Sequence, residues 1–277
     1  MDHSTSGWGA RLEAAAAEAR RTGDASALRN AAQLASAATR ALEAEAERAE
    51  RGSKRARAEA AAEVGDAAAR QDPDDAPPVA FARTAGKLKR TVRTGWALRG
   101  VSGRVESVAE HSFRAAALCL ACPPDTTVDG ARVDLERAAL VALVHDLAES
   151  VVGDIPPGVC PDEDKHAMEA SAMRGIVAGL HPAARARVLG MWEEYEARET
   201  PEAKLVKDVD RFEMTLQADE YEAAAAHEDL GEFFDSVRPK LATDAVRAWF
   251  AELERKRRRR RGGATGDAHQ REPPSAS

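Results

Sequence analysis

The sequence predicts an all-α domain, a helical bundle flanked by extensions of different composition. Three observations carry this. From about Val79 to Glu254, large apolar residues recur at three- and four-residue spacing in segments opened by good cap residues. No alternating apolar/polar run of any length occurs. The stretch QDPDDAPP at 71–78 then divides this region from a leader built of Ala, Glu and Arg, and its prolines and aspartates read as a linker.

Taken in order, residues 1–78 have strong helix propensity but few large apolar side chains. Leu12, Leu28, Leu34 and Leu42 are too sparse for a sustained heptad seam, so the leader reads as a solvated extension, helical or disordered. Its many glutamates argue against a transit peptide. The domain at 79–254 opens with GKLKRTVRTGWALRG. A helix follows from Ser107, where Ser107 and Glu110 form a capping box and His111 falls in the first turns. Asp134 caps LERAALVALVHDLAE, predicting a helix that ends close to Gly153. After the turn IPPG, the segment PDEDKHAMEASAMRGIVAGL carries acids in its first turn, where the helix dipole favours them. His181-Pro182 breaks the pattern before AARARVLGMWEEYEA. Thr200-Pro201 then opens a long helix with an apolar stripe of Leu205, Val206, Val209, Phe212 and Leu216. A last helix around DAVRAWFAELE precedes the arginine run of 255–277, read as a disordered basic tail.

Hydrophobic residues make up 44% of the chain, enough for a sizeable core, but much of this is alanine, which concentrates the core in the middle segment. A net charge of -7 argues against a general nucleic-acid binder, leaving the basic tail as the one place for such a contact. No apolar run approaches the roughly 20 residues of a membrane span. The three cysteines are too few and too odd for a disulfide framework, so a cytoplasmic setting is expected, with the nucleus open through the tail.

The chemistry centres on LVALVHDLAESVVGD, from Leu140 to Asp154. An apolar helix facing only core would not carry His145, Asp146 and Glu149, since burying each unpaired costs several kcal/mol. A divalent ion satisfies such groups economically. His111, His145, Asp146 and Asp210 lie on three predicted helices, each among apolar neighbours. Two imidazoles and two carboxylates would bind one ion and leave positions for water and substrate. Cys119 and Cys122 have zinc-like spacing but no second pair, and LCLAC reads as the apolar end of a helix.

The order His, His-Asp and a distant Asp resembles the HD-domain metal-dependent phosphohydrolases. KLKRTVRTGW, RVESVAEHSFRAA, ALVHDLAESVVGDIPP, DKHAMEASAM, LGMWEEYEA and AKLVKDVDRFEMTLQADEYE are similar to successive blocks of the HD-domain-containing protein 2 type of 5'-deoxynucleotidase. The likeness covers Lys87 to the last helix. It implies metal ligation by His111, His145, Asp146 and Asp210, acid/base work by Glu149 and Asp154, and substrate contacts from Arg93 and Trp96. One departure stands out: the related bacterial enzymes have Arg and Trp adjacent, whereas Thr94-Gly95 separates them here. The implied reaction is hydrolysis of deoxyribonucleoside 5'-monophosphates by a homodimer using one divalent ion, with Mn, Co, Fe, Mg and Zn all open.

Physically, Glu149 could orient or deprotonate a water, and Asp154 could protonate the departing 5'-oxygen or hold the sugar in line. Lys207, and less so Lys204, could add charge near the phosphate. A broader nucleotide phosphohydrolase or phosphodiesterase, and an adaptor using the helical arm and basic tail, stand as alternatives.

Overall fold

The computed structural model describes residues 13, 14, 17, 18, 21, 74–224 and 229–267, with side chains to 261. The chain divides into two compact units, Met1–Ala60 and Ala61–Ser277. In the first, Glu13, Ala14, Ala17, Glu18 and Arg21 are helical and exposed; the rest of the expected leader lies outside the described residues.

The second unit holds the helices that build the site. Helix α1 is Pro77–Ala85, so the proline pair expected to belong to a linker instead starts a helix, where a missing N–H and a fixed φ cost nothing. A 3-10 turn, Gly86–Lys89, and the short α2, Thr94–Leu98, follow. Helix α3, Val108–Leu120, begins at the complete capping box of Ser107 and Glu110. Between α3 and α4 lies a two-stranded antiparallel ribbon, Thr127–Val128 with Ala131–Arg132. Its Asp129-Gly130 corner has positive φ at both residues, the geometry of a two-residue hairpin turn. Two residues per strand are too few to leave an alternation in the sequence, hence the all-helical expectation.

Helix α4, Leu135–Val144, is capped by Asp134, whose side chain accepts from the Arg137 N–H. It does not run on to Gly153 as expected. The chain turns at residues 145–148 and re-forms a single short helix, α5, Glu149–Val152. Helices α6, Asp162–Val177, and α7, Pro182–Ala197, flank the break expected at His181-Pro182, with His181 capping α7. Helix α8, Pro201–Ala223, is capped by Thr200, which accepts from the Ala203 N–H. Its stripe of Leu205, Val206, Val209 and Phe212 is buried, while Leu216 is only partly covered. Helices α9, Gly231–Val237, and α10, Asp244–Asp267, complete the unit.

Two apolar clusters meet around the site. The larger gathers α3, α4, α8, α9 and α10; the smaller gathers Leu88, Val108, Leu147, Met173, Ile176 and Trp192 from α1 through α7. Of the stretch 255–277 expected to be a disordered basic tail, the part to Asp267 continues α10 instead, and residues 268–277 lie outside the described residues. Arg257 binds Glu222 with two nitrogens, at 2.7 and 2.8 Å, and Arg260 reaches Asp219 at 2.6 Å. Neutralisation by α8 lets adjacent arginines stay helical. No helix among the described residues is long and apolar enough to cross a membrane.

Candidate metal centre and active site

His111 projects from α3, His145 and Asp146 from the turn that ends α4, and Asp210 from the middle of α8. Their polar atoms converge. His111 Nε2 lies 3.4 Å from His145 Nε2, 3.6 Å from Asp146 Oδ2 and 3.3 Å from Asp210 Oδ1, and His145 Nε2 lies 3.2 Å from Asp146 Oδ2. Neighbouring ligands on an ion with bonds of about 2.1 Å stand about 3 Å apart. His111, His145 and Asp146 present ligand atoms within 4.8 Å of one another and fit a divalent metal, while Asp210 approaches through His111. His145 Nδ1 donates to the Ala142 carbonyl at 2.7 Å, which leaves its Nε2 lone pair facing the centre. His111 Nδ1 is held from behind by Glu213.

His145 and Asp146 occupy adjacent positions of the turn that ends α4, where the Leu147 N–H donates to the Val144 carbonyl and the Glu149 N–H to the Asp146 carbonyl.

Charge at the centre is balanced locally. Burial and Arg93 push the His111 imidazolium down, but Glu213 and Asp210 outweigh them and hold it up, at about 10. Burial alone would raise the Asp146 carboxyl; His145, Arg93 and His111 hold it well below the usual carboxylate range. Asp210 is likewise held low against burial, by Lys207 and the two histidines.

His145, Asp146 and Asp210 open onto a cavity of about 620 Å³ lined also by Arg93, Glu149, Asp154, Lys165, His166, Tyr195 and Lys207, while His111 is fully buried. Glu149 is 3% exposed, and its Oε2 has no hydrogen-bond partner. Burial, then Asp146 and Asp154, hold its carboxyl well above the usual range. Asp154 follows Gly153, whose φ of 76° turns the chain out of α5. Thr94 fixes Asp154 twice: its N–H donates to Oδ2 and its hydroxyl donates to the backbone oxygen at 2.9 Å. Thr94, at the start of α2, is thus the brace for Asp154.

Arg93 faces the cavity and donates to Asp146 Oδ2 at 3.3 Å. Trp96, by contrast, is 2% exposed. Its ring lies between Tyr221 and Phe233, and its Nε1 donates to Glu106 at 2.9 Å, so it acts mainly as a wall of an adjoining cavity of about 380 Å³. Lys207 donates to Asp210 Oδ2 at 2.8 Å and to the Tyr195 hydroxyl at 3.0 Å. Lys204 points elsewhere, pairing with Asp129 at 2.6 Å. His166 stacks on Trp192 at the cavity rim and binds Glu196 at 2.8 Å. Cys119 and Cys122 are buried core thiols, pushed by burial up to about 12 and about 11.

Three residues of the site went unread in the sequence. Tyr195 donates to Asp210 Oδ2 at 3.0 Å and packs edge-on to His145; Glu213 backs His111; Thr94 braces Asp154. For Glu213 a signal existed, because it stands three residues after Asp210 on the same helix face. Tyr195 and Thr94 reach the site only through long-range packing.

Comparison with known proteins agrees with this geometry. A family model described as HD domain matches residues 85–249. The human protein named 5'-deoxynucleotidase HDDC2 is 39% identical over 191 residues, covering 68% of this chain and 90% of that one. The fission yeast 5'-deoxynucleotidase hdd1 is 40% identical over 161 residues, covering 56% and 78%. Among solved structures, one from Magnetospirillum magnetotacticum, described as a predicted metal-dependent phosphohydrolase, superposes with a TM-score of 0.53 at 27% identity, covering 67% of this chain and 93% of that one. A conserved hypothetical protein from Pyrococcus furiosus gives 0.51 at 31%, covering 64% and 99%. The matched span includes both histidines and both aspartates of the centre, and this chain belongs to the HD-domain family.

Proposed function

We propose that the chain is a divalent-metal-dependent 5'-deoxynucleotidase, hydrolysing deoxyribonucleoside 5'-monophosphates to deoxyribonucleosides and phosphate. The observation that carries this reading is the approach of ligand atoms from His111, His145 and Asp146, with Asp210 against His111, beside an unpartnered Glu149 oxygen. The names of the relatives supply the substrate class. One ion held by the four would neutralise charge on the phosphate and acidify a water.

Each side chain then has a task. Arg93 and Lys207 add positive charge where the phosphate dianion enters, and both already neighbour the ligand carboxylates. Glu149 Oε2 orients the attacking water and takes its proton. Asp154, braced by Thr94, gives a proton to the departing 5'-oxygen. The adjoining cavity, walled by Trp96, Pro156, Pro157, Met214 and Phe233, is apolar enough to receive the nucleoside.

Manganese, cobalt, iron, magnesium and zinc all suit a mixed nitrogen and oxygen set. A homodimer is supported by the apolar stripe of Phe113, Ala117 and Leu120 exposed on α3 and by exposed Leu140 and Leu143 on α4. The three free cysteines suit a reducing cytoplasm or nucleus.

The test is phosphate release from a panel of dNMPs and NMPs by chelator-stripped protein resupplied with cobalt or manganese, beside Asp146→Ala and Glu149→Ala. Metal-dependent release from dNMPs, lost in both variants, is the expected result. Equal release from ribonucleotides would replace the assignment with a broader phosphohydrolase. No release from any monophosphate by metal-loaded wild type would end the nucleotidase reading.

A further inference from the structure

The two imidazoles of the centre are backed by different groups. Behind His145 stands a neutral carbonyl, that of Ala142. Behind His111 stands Glu213, a carboxylate with 0% exposure. Asp210 and Glu213 lie three residues apart on α8 and grip opposite nitrogens of the same ring: Asp210 Oδ1 is 3.3 Å from Nε2, and Glu213 Oε2 binds Nδ1. Glu213 does not stand alone. Its Oε1 accepts from Arg114 Nε at 2.6 Å, and Arg114 comes from α3, three residues beyond His111. The same guanidinium reaches Gln217 at 2.6 Å and Glu220 at 2.7 Å, further along α8.

A buried carboxylate is costly unless paired, and Arg114 meets that need. A tie between α3 and α8 alone would not require it, since Arg114 already joins Gln217 and Glu220 nearer the surface. The placement of Glu213 has a second consequence. An ionised carboxylate only accepts, so Nδ1 carries a proton, and Nε2 is the nitrogen left to give up its own proton and offer a lone pair to an ion at the centre. A carboxylate behind a ligating histidine also makes the ring a better donor than a carbonyl does.

We infer that Glu213 is a positioning residue that makes His111 the anchoring ligand of the metal centre, with Arg114 holding Glu213 against the ring. This rests on the metal part of the proposed function and not on its substrate. Metal binding without dNMP hydrolysis would therefore defeat the nucleotidase reading and leave the inference standing.

The experiment measures metal affinity by competition with a chromophoric chelator, and the visible spectrum of the cobalt-loaded protein, for wild type, Glu213→Gln and Glu220→Gln. The expected result is about a 10- to 100-fold loss of affinity and an altered cobalt spectrum in Glu213→Gln. Glu220→Gln, which breaks only an outer contact of Arg114, should keep both. Affinity within twofold of wild type in Glu213→Gln overturns the inference, as does an equal loss in Glu220→Gln, which would make the network a plain tie between helices. Wild type that binds no metal takes down the inference together with the metal reading. Should Glu213→Gln fail to fold, nitrogen-15 histidine spectra of zinc-loaded wild type decide. A His111 Nδ1 proton well downfield of that of His145 supports a carboxylate acceptor, and equal shifts exclude it.

Discussion

Glu169 sits at the cavity wall, 3.5 Å from Lys165 one turn earlier on α6. Burial pushes its carboxyl up more than Lys165 pulls it down, to about 7. Its charge therefore changes at neutral pH, inside a cavity proposed to receive a dianion. As pH rises through 7 the wall gains a negative charge, so the KM for a monophosphate should rise between pH 6 and 8. Glu169→Gln should remove that rise, about fivefold for roughly 1 kcal/mol of like-charge repulsion; steady-state kinetics at both pH values check it. The sign for stability follows from the same shift. A carboxyl raised on folding favours the protonated folded state, and that contribution, full below about 4.5, is lost as pH rises through 7. Thermal melts of Glu169→Gln should accordingly fall less than wild type over that interval.

Short elements position the chemistry, and two of them can be tested. Gly153 adopts φ 76° and ψ 170°, a conformation nearly confined to glycine, while a Cβ added there would meet nothing within 4 Å. The cost of Gly153→Ala is thus purely one of backbone, about 1–3 kcal/mol. Because Asp154 is the next residue, kcat should drop while metal affinity is retained, which kinetics and chelator competition together resolve. The basic run of α10 divides by partner. Arg257 lies over Phe234 at 4.5 Å and pairs with nearly buried Glu222. Arg257→Ala should cost roughly 3 kcal/mol by leaving that carboxylate without its main partner. Arg255→Ala and Arg259→Ala, on the exposed side, should change the unfolding free energy from denaturant titration by less than about 0.5 kcal/mol.

At the scale of the molecule, every site residue lies in the second unit, between Arg93 and Glu213, and the unit's packing begins with α1. Ala80 and Leu88 are buried and Asp75 pairs with Arg83. Inside the second unit, which begins at Ala61, we propose that a working domain can start at residue 74, a few residues before the start that the linker alone suggests. A protein starting there should retain metal-dependent hydrolysis and a cooperative melt. One starting at residue 90, without α1 and Leu88, should melt well below it. Equal activity loss in both would return the leader to consideration as part of the working enzyme.

Caps, breaks and ligand candidates were legible because they are local. Ser107 with Glu110, Asp134, and Thr200-Pro201 each act within one turn of backbone, and the His, His-Asp and Asp residues betrayed themselves as ionisable groups in apolar settings. What packing decided is long-range. The break after Val144 lies inside a good helical pattern, which concealed it. The choice of Arg93 for the cavity and Trp96 for the wall, the brace of Thr94 on Asp154, and the grip of Tyr195 and Glu213 on the ligands join residues far apart in the chain. The sequence by itself determined which helices form and which side chains carry chemistry, because those depend on neighbours within a turn. Only the tertiary structure decided what stands behind each ligand, because that depends on which faces of α3, α7 and α8 are pressed together.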